Sequence, residues 1–369
     1  MSFIVSVLVS FIGVATIFGV TYKNVFNEID YLPALKQFSF LILSIILYFF
    51  VSNVKFVKIL NFSWIFYIFS IILLGLVFVV GTDIFGSKRW IFIGPISIQP
   101  SEFAKLSLAI LFSYLSEKFF RKSDLLKLLL ISVFVLLIPF LMIYFQPDFG
   151  TSLILIVIGI AFLLNSPNIP SKFIKNLIII FIFITPFGWF FLKDYQKERV
   201  YEFTNAVFLG KDYDPNVQKS LEAIVNGGIF GKGLGFGPDS VLKFLPSRQT
   251  DFIVAVTFES YGLVGGSLIF LLYLFLIFEF WSTIPKMETR GAIVFATCTA
   301  SFFTFQTLVN IGVNFGILPV TGIPAPFLSS GGSSLMVNFL FLGVLSSASK
   351  DKVFETTTVD KNDLEFTLE

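Results

Sequence analysis

The sequence predicts an all-α polytopic membrane protein with about ten transmembrane helices, cytoplasmic N- and C-termini and one large extracytoplasmic loop. Of its 369 residues, 56% are hydrophobic and only 14% are charged, and the mean hydropathy is +0.88. Soluble globular domains do not have this composition. A second observation is a series of apolar runs separated by short polar connections. The third is an uneven distribution of lysine and arginine between alternate connections.

Ten apolar runs have the length of roughly 17–25 residues that a helix needs to cross a bilayer. They lie near 3–21, 36–53, 60–81, 103–120, 126–146, 150–167, 174–193, 251–280, 291–316 and 328–348. The stretches 82–102 and 317–330 are too rich in glycine, proline and polar residues to count as spans. The first run lacks a basic leading region and a small-residue cleavage site, so we expect a retained span rather than a signal peptide.

Basic residues predict which connections face the cytoplasm. One alternate set of connections holds twelve and the other holds three, and the richer set is expected inside. The richer set consists of Lys55, Lys58, Lys118, Arg121, Lys122, Lys127, Lys172, Lys175, Lys286, Arg290, Lys350 and Lys352. The segments 82–102, 146–150, 194–250 and 317–330 then face outward. Residues 1–350 are expected to form a single transmembrane domain, and 351–369 a disordered cytoplasmic tail.

The large outer segment 194–250 contains one predicted amphipathic helix, over 215–226. Asp214 is the expected N-cap, Pro215 the first helical residue, and Gly227 the C-terminal stop. An apolar stripe runs along this helix. It consists of Val217, Leu221, Ile224 and Val225. We expect the helix to lie on the membrane surface or to pack on the ends of the spans.

Composition also limits the chemistry. Histidine is absent, so a general base must be a carboxylate, and histidine-ligated metals are excluded. The single cysteine, Cys298, lies in an apolar run, which excludes disulfides. A net charge of +2 gives no reason to expect a nucleic-acid partner.

Two outward places carry acids beside apolar helices. Glu102 and Lys105 are three residues apart and therefore share one helix face. They are either a helix-start acid with a lysine that snorkels to water, or an acid–base pair that lines a cavity. Asp148 lies in the turn QPDFGTS, residues 146–152, where an aspartate is either a turn former or a functional group.

Two further stretches combine glycine with polar residues. GIFGKGLGFGPDS, residues 228–240, follows no strand and opens no βαβ unit, so dinucleotide binding is rejected. It could place Lys232 near an anionic group. Residues 310–334 alternate proline, glycine and hydroxyls, Ser333 and Ser334 among them. Backbone this irregular is tolerated near a membrane where it lines a cavity or is buried in protein, and we expect a binding surface.

The stretch LPSRQTDFIVAVTFESYG, residues 245–262, contains two acids. Thr250 or Asp251 could simply cap the following helix, whereas Glu259 lies eight residues later, inside the apolar run. Eight residues correspond to ~12 Å of rise and ~80° of rotation, so the two acids need separate roles. We expect Glu259 to pair with a cation or hydroxyl in the bundle. The residues leave two classes open, a transporter with a broken-helix site and an enzyme acting on a lipid-linked anionic substrate.

Six motifs in order carry a resemblance to a known family. They are FGSKRWIFIGPISIQPSEFAK, QPDFGTS, DYQKERVYEF, QKSLEAIVNGGIFGKG, LPSRQTDFIVAVTFESYG and NIGVNFGILPVTGIPAPFLSSGGSS. Together they resemble the SEDS family of peptidoglycan glycosyltransferases, with RodA more similar than FtsW. The resemblance implies polymerisation of lipid II with inversion, and Asp251 as the catalytic acid of the TDF motif. Trp90, Glu102, Lys105, Asp148 and Glu259 match other motif positions.

The resemblance also implies cofactors and partners. The leaving diphosphate needs a cation, which Arg89, Lys105, Arg199 or a divalent ion (Mg²⁺ or Mn²⁺, with Asp251 as a candidate ligand) could supply. Asp251 would be the base, with its pKa raised in a partly apolar mouth. The implied partners are lipid II, a class B penicillin-binding protein and elongation or division proteins, in a bacterial cytoplasmic (inner) membrane. The alternative is a lipid II flippase.

Overall fold

The computed structural model describes residues 1–21, 30–84, 87–94, 96–119, 125–165, 194–234, 245 and 247–351. The predicted span over 174–193 and residues 352–369 of the predicted tail lie outside the described residues. The same is true of 235–244 in the glycine-rich stretch.

Apolar helices account for each predicted span that falls within the described ranges, so the polytopic α-helical architecture is confirmed. The α-helices of the described residues are α1 (Ser2–Thr21), α2 (Leu32–Ser52), α3 (Phe56–Asn61), α4 (Ser63–Val80), α5 (Pro100–Lys118), α6 (Leu125–Phe145), α7 (Phe149–Leu164), α8 (Asp194–Leu209), α9 (Pro215–Asn226), α10 (Ile253–Thr283), α11 (Arg290–Asn314) and α12 (Gly332–Ala348). Of these, α8 and α9 belong to the outer segment, and α3 is a short turn before α4.

Length and composition alone identify six membrane-crossing helices among the described residues, namely α1, α2, α4, α6, α10 and α11. The helices α7 and α12 are apolar but shorter. Helix α5 is different, because it carries charged residues and is nonetheless buried along most of its length. It packs against α4, α7 and α11. A helix buried on all sides is surrounded by protein, so α5 forms the centre of the bundle.

Described residues at the ends of four connections predicted to be cytoplasmic are joined by hydrogen bonds. Lys350 Nζ donates to the Ser52 carbonyl at 2.9 Å. The Gly291 amide donates to Glu117 Oε1 at 2.7 Å, and the Thr289 hydroxyl donates to Asp351 Oδ2 at 3.3 Å. The grouping follows the charge pattern of the sequence, while the sidedness itself stays a prediction.

A small antiparallel sheet adds to the α-helical architecture where the sequence analysis had predicted only a non-spanning stretch. Its strands are β1 (Thr82–Ile84), β2 (Ser87–Ile93) and β3 (Ile96–Ile98), in the order β1-β2-β3. Ile91 pairs with Ile98 and Trp90 with Thr82. β-Branched and aromatic residues suit a pleated surface, but runs of three residues are too short to show a period in the sequence. The sheet carries Arg89 and Trp90.

The outer segment contains two helices within its described residues, whereas the sequence predicted one. The additional helix, α8, is mostly polar, so hydrophobic periodicity does not reveal it. Helix α9 has the predicted bounds, and Asp214 Oδ1 accepts the amides of Asn216 at 2.7 Å and Val217 at 3.4 Å. Its packed face differs from the predicted stripe, since Val225 is 78% exposed. The helix packs on α10 and α11.

Helix α10 is broken at Gly262, which has φ 69° and ψ −169°. A break leaves carbonyls on one side and amides on the other without helical partners. The glycine-rich stretch after α9 satisfies both sets through its own backbone. The bonds run from Lys232 N to Glu259 O (2.9 Å), Gly233 N to Ser260 O (3.0 Å), Leu263 N to Gly228 O (2.8 Å) and Val264 N to Ile229 O (3.2 Å).

Two glycines allow this close approach of backbone to backbone. A Cβ atom on Gly231 would overlap the Ser260 carbonyl, and one on Gly262 would overlap the Gly231 amide. Both have positive φ values, which glycine adopts without steric cost. Residues 228–233 therefore clamp the broken helix, which gives this part of the glycine-rich stretch a structural role.

We expect Gly231→Ala to lower the free energy of unfolding by about 2–4 kcal/mol, because it adds left-handed strain and an overlap with Ser260. Gly233→Ala is the matched control. Gly233 has a similar φ of 86°, but a Cβ there would meet nothing within 4 Å, so only about 1 kcal/mol of strain is expected. Thermal unfolding of the two variants in one detergent measures the difference. Equal losses would contradict the clamp.

Candidate active site

Asp251 lies in a tight turn just before α10. Ser247, with φ 55°, accepts the amides of Thr250 and Asp251 at 3.0 Å and of Phe252 at 3.3 Å through its carbonyl. On the other side, Asp251 Oδ2 is 4.0 Å from the position that a Cβ would take on Gly322. The carboxylate is therefore held between the start of α10 and the backbone of the 317–331 stretch.

The capping role considered for Thr250 and Asp251 is wrong. The N-cap of α10 is Phe252, and no side chain caps it. The Thr250 hydroxyl donates backward to the Ser247 carbonyl at 3.2 Å. The Asp251 side chain is thus not occupied by the helix start, and a structural role as a cap does not account for its position.

The surroundings of Asp251 raise its pKa to about 6. Burial is the largest cause, because it penalises the charged form. The charges of Arg199 and Arg89 and a hydrogen bond with Thr250 act in the opposite direction, and Asp148 raises the pKa further. Arg89, Asp148 and Arg199 therefore lie within electrostatic range of Asp251, and four of the residues singled out from the sequence form one site.

Arg89 joins the sheet to the start of α7. Its Nη1 is 3.7 Å from Asp148 Oδ1, its Nε donates to the Gln146 carbonyl at 3.3 Å, and it also donates to the Pro147 carbonyl. Asp148 in turn caps α7 by accepting the Thr151 amide at 3.3 Å. The turn-forming role of Asp148 is present, together with an ion pair that the sequence did not indicate.

A glutamine that the sequence analysis did not single out connects Asp148 to the start of α12. Gln99 Nε2 donates to Asp148 Oδ2 at 3.4 Å, and the Gln99 amide donates to Ser333 Oγ at 3.2 Å. Ser333 Oγ donates onward to the Ser97 carbonyl at 3.0 Å. Ser333 is buried and Ser334 is partly buried. Ser333 thus supports the site, as a link between β3 and α12.

Side chains of two helices, α8 and α11, together with bonds to the Asp251 turn, hold the irregular 317–331 stretch as one wall of the site. Each bond satisfies a backbone group that a loop in water would leave to solvent. The bonds run from Arg199 Nη1 to Val320 O (3.1 Å), Gln306 Nε2 to Pro324 O (2.8 Å), Asn310 Nδ2 to Ile323 O (2.8 Å), Ser329 Oγ to Thr250 O (2.6 Å) and Ser330 N to Gln249 O (2.8 Å). The wall is rigidly attached to the Asp251 turn.

Glu102 and Lys105 form an ion pair inside the bundle. Lys105 Nζ is 2.7 Å from Glu102 Oε2, and the side chains are 1% and 2% exposed, respectively. Lys105 Nζ also lies 4.9 Å from the ring centroid of Phe302, a distance typical of a cation–π contact. The expectation that the lysine snorkels to water is wrong. Because Lys105 is buried in the bundle, whereas Arg89 and Arg199 are partly exposed and lower the pKa of Asp251, the two arginines are better placed to meet an anion near Asp251.

The structure places Glu259, Lys232 and Trp90 in three different elements. Glu259 is buried in the first part of α10, and its carbonyl accepts the Lys232 amide at the helix break. Lys232 therefore acts there through its backbone. Trp90 is partly exposed on β2, next to Arg89. Asp251 lies in the turn before α10 and Glu259 within the helix.

A divalent ion at this site would depend on the substrate. The described residues contain no group of three or more His, Cys, Asp or Glu side chains that could hold a metal ion. Mg²⁺ often binds through one or two carboxylates together with substrate phosphates. Asp251 fits such an arrangement, in which a diphosphate supplies the remaining ligands.

The fold and the site define an integral membrane protein with a partly buried carboxylate and two arginines at one end of the helical bundle. Residues 1–353 match the family model of FtsW, RodA and SpoVE, described as "Cell cycle protein". The chain belongs to this family, which confirms the resemblance drawn from the motifs.

Relatives with assigned names agree with this membership. Peptidoglycan glycosyltransferase MrdB of Escherichia coli is 35% identical over 288 residues, covering 76% of each chain. Its Helicobacter pylori counterpart is 31% identical over 346 residues, covering 92% of this chain and 89% of that protein. Stage V sporulation protein E of Bacillus subtilis is 33% identical over 324 residues, covering 86% and 87%.

Solved structures share the fold. A chain from a peptidoglycan synthase complex that coordinates polymerization and crosslinking superposes with a TM-score of 0.77 at 24% identity, covering 96% of this chain and 98% of that one. The rod shape determining protein RodA of Thermus thermophilus superposes with a TM-score of 0.69 at 22% identity, covering 95% and 96%. The helical arrangement is therefore conserved at low sequence identity.

We expect Asp251→Asn to stabilise the protein at neutral pH. The folded protein holds the Asp251 proton more tightly than the unfolded chain, whose carboxyl has the usual pKa of 3.8. The contribution of the Asp251 carboxyl to the free energy of unfolding is therefore fully present below about pH 4 and is lost as pH rises through about 6. The asparagine escapes this loss, which amounts to up to about 3 kcal/mol.

Thermal unfolding of the wild type and Asp251→Asn at pH 4.5 and pH 8 measures this difference. Asp212→Asn makes the same change of charge at an exposed position and controls for net charge. A stability difference that is the same at both pH values would contradict the raised pKa of Asp251.

We expect Lys105→Met to lower the free energy of unfolding by about 3–5 kcal/mol, because it leaves Glu102 charged and buried without its partner. The double variant Glu102→Gln/Lys105→Met removes both charges and is expected to recover most of that loss. Unfolding of the single and double variants in detergent measures the coupling. If the double variant is as unstable as the single variant, the pair is not what holds these charges in the bundle.

Proposed function

We propose that the chain is a peptidoglycan glycosyltransferase that polymerises lipid II at the outer face of the cytoplasmic membrane. Family membership and relatives named as peptidoglycan glycosyltransferases support the class of reaction. The observation that carries the assignment to this chain is Asp251, a partly buried carboxylate with its pKa raised to about 6 within electrostatic range of Arg89 and Arg199. Names of relatives such as MrdB favour a role in cell elongation and rod shape, with an FtsW-type division polymerase as the alternative.

Asp251 is the proposed general base. A carboxylate with a pKa near 6 is mostly ionised at neutral pH, yet it is a stronger proton acceptor than an ordinary aspartate. It would take the proton from the 4-hydroxyl of the acceptor GlcNAc, whose oxygen attacks the anomeric carbon of the donor MurNAc. The bond from that carbon to the diphosphate breaks, and the configuration inverts. A single base without a carboxylate nucleophile fits inversion.

Arg89 and Arg199 are proposed to bind the diphosphate. Guanidinium groups keep their charge and match phosphate oxygens with two donors. Both already lower the pKa of Asp251, so both lie close enough to act on an anion at the same site. Mg²⁺ or Mn²⁺ remains the expected cofactor. Asp251 and the diphosphate would hold it, and it would supply further positive charge to the leaving group.

The structure of α10 weighs against the transporter alternative. Broken helices in transporters direct unpaired backbone groups at the substrate. Here the break at Gly262 is occupied by the 228–233 clamp, which bonds groups on both sides of it. The backbone groups in those four bonds are therefore not available to bind a substrate. This favours the enzyme over the transporter.

A class B penicillin-binding protein is the proposed partner. The chain is also proposed to act together with elongation proteins in the inner membrane. The support is the shared fold with a chain from a complex that coordinates polymerization and crosslinking. Copurification of the two proteins from membranes tests the pairing. Polymerisation assays with and without the partner then show whether it changes the rate.

Purified protein incubated with lipid II and Mg²⁺ or Mn²⁺ is expected to make long glycan strands, and Asp251→Asn is expected to lose at least 10²-fold in rate, in the range that a general base supplies. The rate should rise with pH up to about 6 and level off above it. Arg199→Gln removes a charge that lowers the pKa of Asp251, so the acidic limb of this variant's pH–rate profile should shift to higher pH.

Lys211→Gln makes the same change of charge at an exposed position outside the site and is expected to keep both rate and profile. Strands made by Asp251→Asn at the wild-type rate would overturn the role of Asp251. Leaflet exchange of lipid II without polymerisation, unaffected by the Asp251 substitution, would favour the flippase.

A further inference from the structure

Two asparagines of α11 bind the backbone of Asp251. Asn310 and Asn314 are one helical turn apart and are 1% and 0% exposed. Their Nδ2 atoms donate to the Asp251 carbonyl at 2.9 Å and 2.8 Å. A carbonyl oxygen has two lone pairs, so the two amides saturate it. Neither asparagine was a candidate site residue from the sequence.

Asn314 also replaces a bond of the α10 backbone. In a regular helix the Ala255 amide would donate to the carbonyl four residues earlier, that of Asp251. Here the Ala255 amide donates to Asn314 Oδ1 at 3.0 Å, while Asn314 Nδ2 binds the Asp251 carbonyl. The side-chain amide is therefore inserted between the two groups. The first bond of helical type in this turn runs from the Val256 amide to the Phe252 carbonyl, at 3.2 Å.

Asn310 connects the same carbonyl to the facing wall. The Nδ2 atom that binds Asp251 also donates to the Ile323 carbonyl at 2.8 Å. Ile323 follows Gly322, the residue whose backbone lies against the Asp251 carboxylate. One amide group thus sets the distance between the Asp251 turn and the wall across from it.

The amide pair is itself held in place. Asn314 Nδ2 donates to the Asn310 carbonyl at 2.9 Å and lies 3.3 Å from Asn310 Oδ1. Ser220 of α9 donates to the Asn314 carbonyl at 2.9 Å. Because these bonds define the orientation of both amides, the position of Asp251 is determined by α11 and α9 as well as by its own turn.

We propose that Asn310 and Asn314 are positioning residues, which hold the Asp251 carboxylate out of the α10 helix and at its working distance from the wall. The proposal rests on the proposed function, in which Asp251 is the base. Without the inserted amide, Ala255 can close the regular bond onto Asp251, and α10 begins one residue earlier. The backbone stays satisfied, so the fold survives, but the carboxylate rotates with the helix.

This substitution of one bond for another predicts a separation of activity from stability. Misplacing a reacting group by about 1 Å can cost 10²-fold in rate. We therefore expect Asn314→Ala to lower kcat for lipid II polymerisation by about 10–100-fold, with KM changed less than about threefold. Its midpoint of thermal unfolding should change little. The acidic limb of its pH profile should also move, because Asp251 shifts relative to Arg89 and Arg199.

Three other variants complete the experiment. Asn314→Asp keeps an acceptor for Ala255 but loses the donor to Asp251, and should be as impaired as Asn314→Ala. Asn310→Ser replaces the side-chain amide by a shorter hydroxyl and is also expected to lower kcat. Asn338→Ala removes an equally buried asparagine, 1% exposed, from α12 and controls for loss of a buried amide, with kcat expected within about threefold of wild type.

The outcomes separate this inference from the proposed function. Loss of activity in Asp251→Asn together with wild-type kcat and pH profile in Asn314→Ala, Asn314→Asp and Asn310→Ser would overturn the positioning role alone. Activity that falls only in proportion to the folded fraction would overturn it as well. Full activity in Asp251→Asn would instead overturn the proposed function.

Discussion

Backbone that leaves regular helix near a membrane must find its hydrogen-bond partners within the protein, and most of this site follows from that requirement. The Asp251 turn, the 317–331 stretch and the break at Gly262 are all irregular. Side-chain amides and hydroxyls satisfy the first two, and the backbone of residues 228–233 satisfies the third. Because the amides of α11 bind both the Asp251 turn and the 317–331 stretch, satisfying the backbone also attaches these elements to one another around the carboxylate.

The same arrangement sets the chemistry of Asp251. Burial alone would push its carboxyl toward the neutral form, which cannot accept a proton, and full solvation would leave it a weak base. Arg89 and Arg199 offset part of the effect of burial, and the pKa lies at about 6. These arginines come from the small sheet and from α8, the two elements that the sequence analysis did not predict. The base therefore depends on structure that surrounds the spans.

Helix α5 shows how polar residues are carried through the bundle centre. Its burial against α4, α7 and α11 removes Glu102 and Lys105 from lipid and from water alike. Their pairing makes this tolerable, since an isolated buried charge is far more costly than a matched pair. The pair is one turn from Gln99, which binds Asp148 and the Ser333 hydroxyl. The motif FGSKRWIFIGPISIQPSEFAK thus supplies both the central ion pair and part of the site wall.

The sequence by itself determined the membrane class, the positions of the apolar helices within the described ranges, the α9 bounds and the family. These follow from local hydrophobicity, capping residues and motif order, which need no knowledge of distant contacts. Motif resemblance identified Asp251 as the leading acid. Helical geometry predicted that Asp251 and Glu259 need separate roles. A closer reading of NIGVN, with two asparagines four residues apart, would have placed Asn310 and Asn314 on one helix face.

Tertiary structure alone decided what those side chains contact. The ion pair of Arg89 with Asp148 and the insertion of Asn314 into α10 each join residues far apart in the chain. The burial of the Glu102–Lys105 pair depends on the helices packed around α5. The short strands and the polar helix α8 have too little periodic signal to be recognised before they are packed. The pKa of Asp251 likewise results from burial and from charges on other elements, which no local pattern around TDF contains.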